Sequence, residues 1–161
     1  MLGPGEYVGD RSEGISSVEA LPTPKKVQRS SNYRRRPCPR CGHSAYRDRV
    51  ARRKLHDVGD LTSGRPRDIE LRYSMHYCSK CRKYFSADTS KYGPAGSHYT
   101  HAVIDRAVSL VVEDGLAYRP ASWHLWRHQR VFVPFATIQN WVEAAGKKRN
   151  HESTVTTKPG R

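Results

Sequence analysis

The sequence predicts a small α+β protein in two modules, a β-rich one followed by a three-helix one, with disordered termini. Three observations carry this. The four cysteines fall as two CxxC pairs, Cys38 with Cys41 and Cys78 with Cys81. Between the pairs, Asp68 to His76 alternates apolar and polar residues, as a strand with one covered face does. Beyond a Gly/Pro stretch, Tyr92 to Ser97, three segments carry apolar residues at helical spacing.

The cysteines come first because their spacing is the most specific signal. Two residues between cysteines let both thiolates of one tight turn reach a single tetrahedral ion. A second such turn closes the site and leaves no position for a reactive water. Cys38, Cys41, Cys78 and Cys81 are therefore expected to hold a structural zinc, and the long insert suits a zinc ribbon over residues 34–92. Two disulfides would suit a secreted chain instead, but the Gly-rich, acidic N-terminus has no apolar signal core. His43 and His76 flank the turns. With four cysteines in register they are expected beside the site or at the surface, not as ligands. His56, His98 and His101 show no ligand spacing.

Charge narrows the partner. The chain of 161 residues has a formal net charge of +14, and residues 25–91 hold 19 basic residues against 6 acidic ones. That excess points to a polyanion. No run of apolar residues is long enough to span a membrane, so a soluble, cytoplasmic protein is expected.

Along the chain, residues 1–33 offer little apolar surface and are expected to form a disordered arm. Arg34, Arg35 and Arg36 abut the first cysteine turn as a candidate phosphate contact. The stretch Ser44 to Asp57 fits either a strand (Tyr46, Asp48, Val50) or a helix (Val50, Lys54, Leu55), and the ribbon reading favours strand. Leu61 to Pro66 reads as a turn. Ile69, Leu71, Tyr73 and Met75 should share one face of the following strand. An aromatic of Lys83-Tyr84-Phe85 should cover the metal turn.

Residues 93–98 read as a linker and 99–146 as a helix-turn-helix. Thr100 is placed to cap a helix that Gly115 ends. Pro120 suits the first position of a second helix, and Pro134 the opening of a third that Gly146 stops. Ile138, Trp141, Val142 and Ala145 should face the core. Phe135, Ala136, Gln139, Asn140 and Glu143 then point outward, with Thr137 at the same end. Gln139 and Asn140 are the candidate base readers, because amides pair bidentately with adenine. Arg119, Arg127 and Arg130 are placed to hold phosphates. Residues 147–161 should be a disordered basic tail.

Together, several short stretches resemble a known family. Leu116-Ala117-Tyr118-Arg119, Leu125-Trp126, Val131-Phe132-Val133 and Thr137-Ile138-Gln139-Asn140-Trp141-Val142 resemble the helix-turn-helix of bacterial insertion-sequence transposases of the DDE type. The preceding CPxCG and CxxCxKxF motifs, with Ser63-Gly64-Arg65-Pro66 between, resemble their N-terminal zinc ribbon. The likeness runs from Arg34 to Lys148. It departs at Arg130, where the family usually has Gly, and at Pro134, where Ser often opens the last helix. It implies a double-stranded DNA partner, the transposon ends, in a bacterial nucleoid setting; self-association is compatible with it. The family's metal-dependent catalytic domain has no counterpart after Lys148, where Glu152 is the sole acid, so no catalytic residue is assigned and the chain is expected to be a truncated DNA-binding part. A stand-alone regulator or protein adaptor is the competing class.

Overall fold

A computed structural model describes residues 21–157, with side chains described through residue 148. Among the described residues the order is β1 (Lys25–Ser31), β2 (Arg35–Pro37), β3 (Ser44–Asp60), β4 (Arg65–Cys78), β5 (Lys83–Ser86), α1 (His101–Val112), α2 (Tyr118–Gln129) and α3 (Phe135–Thr157). The backbone of the sheet is the long β3–β4 hairpin. Its tip is fixed by Asp60, whose carboxylate accepts from Thr62 N (2.9 Å), Ser63 Oγ (2.9 Å) and Lys25 Nζ (2.7 Å). Those partners, Lys25 foremost, hold the Asp60 carboxyl well below the usual range. Gly64 follows with φ +70°, a conformation that costs glycine nothing.

The sheet is mixed. β3 pairs antiparallel with β4 along nearly its whole length, and β2 pairs antiparallel with the start of β3. The other edge of β4 is shared. Residues 67–73 take β1 in parallel, and residues 75–78 take β5 antiparallel. β1 corrects the expectation of a disordered arm over residues 1–33. Its sequence is almost wholly polar, so apolar patterning does not announce it. Backbone pairing holds it at an edge, aided by Lys25–Asp60 and Lys26–Glu70 (3.7 Å) ion pairs. Residues 1–20 of that arm lie outside the described residues.

The alternation in β4 is real, but the covered face changes along the strand. Ile69 and Leu71 are buried with Leu55 of β3 near the hairpin's middle. Towards the cysteines the opposite parity is buried instead, namely Ser74, His76 and Cys78. Tyr33 N donates to Ser74 Oγ (3.1 Å), Ser74 Oγ donates to His76 Nε2 (2.7 Å), and His76 Nδ1 donates to the Ala45 carbonyl (3.1 Å). This chain of bonds satisfies both ring nitrogens and explains how a histidine is tolerated at 0% exposure.

The helices pack around Val103, Ala107, Leu110, Ala121, Leu125, Val131, Val133 and Ile138, with Trp141 and Val142 against them. α1 ends as expected, with Gly115 at φ +72° and Leu116 N bonded to Leu110 O (3.0 Å). Other details differ. Thr100 occupies the cap position, but its hydroxyl donates to Asp57 Oδ1 (2.8 Å) rather than to the helix. Pro120 is the third residue of α2, not the first, still within the turn whose N–H groups lack helical partners. α2 runs to Gln129, and Arg130 caps it in the left-handed conformation (φ 48°, ψ 41°). Pro134 precedes α3, and its carbonyl accepts from Thr137 and Ile138 N. α3 does not stop at Gly146 but continues to Thr157, so most of the supposed disordered tail is helical backbone. A glycine costs a helix about 1 kcal/mol, too little to end one by itself.

Residues 93–98 are not a free linker. The Arg53 guanidinium donates to the carbonyls of Pro94 and Ser97, and His56 N bonds His98 O (2.8 Å). Tyr99 then bridges to β3 beside His56, sends its hydroxyl to Phe132 O (3.2 Å), and meets Trp141 edge-on at 5.2 Å. Val58 of β3 joins the helical core. Sheet and helices therefore share packing where the sequence suggested two separate units.

Candidate metal centre

At the end of the sheet away from the helices, the chain makes two matching turns. In the first, Gly42 N bonds Cys38 O (2.8 Å); in the second, Arg82 N bonds Cys78 O (2.7 Å). The residue after each CxxC is left-handed, Gly42 at φ +75° and Arg82 at φ 55°. β2 enters the first turn and β3 leaves it, while β4 enters the second and β5 leaves it. The hairpin register thus brings cysteines 37 and 43 positions apart to one place. Cys41 Sγ and Cys78 Sγ are 3.6 Å apart, Cys38 Sγ and Cys81 Sγ 3.9 Å, and all four sulfurs lie within 4.8 Å of one another.

These spacings discriminate. A disulfide needs sulfurs about 2.05 Å apart, whereas four thiolates at about 2.3 Å from one tetrahedral ion sit roughly 3.8 Å from each other. Cys81 N also points at Cys78 Sγ (3.4 Å). Amides of Arg40 and Cys41 draw the Cys38 thiol down to about 6. Its contact with the Cys41 sulfur, together with burial, pushes Cys81 up to about 12. Such crowding of sulfur is what a cation would relieve. Cys38 and Cys78 are buried, and Cys41 is exposed. The four could hold a metal ion. His76 is not among the ligands, because its nitrogens are occupied, and His43 is exposed. Of the two aromatics after the second turn, Phe85 is partly buried and stacks on His76 at 5.3 Å, while Tyr84 is exposed.

The other candidate residues divide between two regions. Arg34 and Arg35 are exposed at the cysteine end, and Arg36 lies over the Tyr33 ring at 4.2 Å. The second group belongs to the helices. Ala45 and Val58 are separated by 13 positions of strand, so the two regions are roughly 40 Å apart along β3. On α3, Ala136, Asn140 and Glu143 are exposed, while Gln139 is partly covered and donates to Glu143 Oε1 (3.0 Å). Thr137 is partly covered. Arg119 stacks over Phe135 at 4.8 Å, Arg127 over Trp123 at 5.9 Å and Arg130 over Trp126 at 4.9 Å.

Sequence reasoning missed a second basic surface. Arg52 and Arg72 are direct partners across β3 and β4, both exposed, and neither has an acidic partner among the described residues. Like charges in that position disfavour the sheet. The register that pairs them is a property of the folded hairpin, so only the overall charge hinted at it.

A comparison with protein-family models finds no match, and searches of curated proteins and of solved structures find none either. Among the described residues no helix is long and apolar enough to cross a membrane.

Proposed function

We propose that this chain is a DNA-binding protein akin to the front of an insertion-sequence transposase. In this reading a zinc ribbon is its structural staple and α2–α3 is a helix-turn-helix that recognises transposon-end duplex. Zinc is the metal of choice because four soft thiolates in a closed tetrahedron suit it, and nothing in such a site is left open for reaction. The observation that carries the reading is α3. Ile138 anchors it in the helical core, while Ala136, Asn140 and Glu143 face outward from its first turns. A helix presented this way can enter a major groove with its N-terminal half against base edges. Arg119 stacks on Phe135 at the start of α3 and Arg127 on Trp123 of α2, and the +14 balance supplies the general attraction to phosphate.

The test is selection from a randomised duplex library, followed by binding titrations of the enriched sequence at several salt concentrations. One sequence should be enriched and should lie in inverted repeats flanking the gene. Affinity should fall steeply with salt. Asn140→Ala should relax preference at one base pair, by about 1–3 kcal/mol. Arg119→Ala should weaken all sequences alike and reduce the salt slope by about one. If selection enriches nothing and binding is insensitive to salt, the adaptor reading replaces this one.

A further inference from the structure

The cysteine end carries exposed aromatic rings that neither the metal nor the core uses. Tyr46 is 61% exposed, Tyr84 60% and Tyr77 39%. The register explains their arrangement. Arg35 pairs with Tyr46 across β2 and β3, and Tyr77 pairs with Tyr84 across β4 and β5. The β3–β4 ladder ends at the Arg47–His76 pair, and continuing its antiparallel register by one step would set Tyr46 opposite Tyr77. Directly opposed residues share a face, so the Arg35–Tyr46 and Tyr77–Tyr84 pairs are each on one face, and the continued register would align them as one row at the cysteine end. The Arg35 guanidinium lies 5.4 Å from the Tyr46 ring centre, and the Tyr77 and Tyr84 rings are 4.9 Å apart. Arg49, paired with Met75, is exposed on that same face two residues up β4 from Tyr77. Over residues 33–49 and 75–86 there are nine basic side chains and one acid, Asp48.

We propose that this row is a stacking surface for single-stranded DNA, separate from the duplex-reading helix. Rings standing out from a sheet with cations between them offer π-faces to unpaired bases and positive charge to the backbone beside them. Bases inside a duplex present no free face, so such rings are of use only where strands are open. The choice of DNA over RNA rests on the duplex-end reading above; the stacking geometry does not.

The full-length, metal-loaded protein is titrated with a fluorescent oligothymidine of about ten nucleotides, within the usual site size of a stacking groove. That probe contains no end sequence, so failure here is distinct from failure of duplex recognition. The single strand should bind, and Tyr46→Leu with Tyr84→Leu should weaken it roughly tenfold or more, as loss of base stacking does. Tyr46→Phe with Tyr84→Phe should bind like the parent, because the ring and not the hydroxyl is at work. Metal content and far-ultraviolet dichroism of each variant must match the parent, which separates lost stacking from lost fold. Undiminished binding by the Leu variant would overturn the proposal. So would a parent that prefers duplex thymidine–adenine to the single strand, or one that prefers oligouridine.

Discussion

Cys78→Ser should lose the bound metal and undo the cysteine end of the sheet. Cys78 is fully buried, begins the second turn, and its sulfur receives the Cys81 amide. A serine oxygen there is a far poorer ligand for a soft site. Metal binding to a structural thiolate centre is worth of order 10 kcal/mol, which is comparable to a whole domain's stability. The segments that depend on it are the two turns, short β2 and short β5. The helical core and the Leu55–Ile69–Leu71 cluster lie elsewhere along the hairpin, so helical dichroism should persist. The same outcome should follow acidification of the parent, since protons compete with metal for thiolates. Metal analysis of the purified variant together with its dichroism decides it. Full metal content would mean that another group replaces Cys78.

Gly59→Ala should destabilise the whole protein by about 3 kcal/mol, the upper range for forcing an atom into a packed site. A β-carbon there would stand 2.5 Å from the Arg130 carbonyl oxygen, 2.6 Å from Arg130 Cβ and 2.9 Å from the Arg65 carbonyl oxygen. These are backbone and near-backbone atoms, so no flexible side chain can swing aside. Either the tip of the hairpin or the end of α2 must move. A fall in melting temperature of roughly 10 °C is expected by thermal denaturation. Gly146→Ala serves as the control. Nothing lies within 4 Å of a β-carbon there, and it should raise stability by up to about 1 kcal/mol. An unchanged melting temperature for Gly59→Ala would show that hairpin and helices are not packed against each other at this point.

How far the sequence could be read depended on whether the signal was local. The CxxC turns are local chemistry, and their meeting required only that the insert run out and back. The apolar stripes of α1 and α2 are local too, as was the exposure of Asn140. β1 was illegible because its polar residues pair through the backbone with a strand some 40 positions away. The tethering of residues 93–98 depends on Arg53, whose reach to their carbonyls no pattern encodes. His76 was expected either beside the site or at the surface, and only the switch of covered face along β4 decides that it lies inside. The tyrosine row was hidden for the same reason. The alignment of the Arg35–Tyr46 and Tyr77–Tyr84 pairs depends on the register of the hairpin, which includes an irregularity between Arg47 and Arg49.

The opposed pair of Arg52 and Arg72 has a thermodynamic corollary. A sheet that sets two uncompensated cations side by side, in a chain of net charge +14, is held back by its own field. Added salt should therefore do two opposite things. By screening the repulsion it should raise the melting temperature of the protein alone, and by competing for phosphate it should loosen DNA. If the proposed DNA binding holds, a polyanion settled over the pair would do the work of salt without being diluted away and would stabilise the fold as well. Melting curves with and without DNA should converge as ionic strength rises.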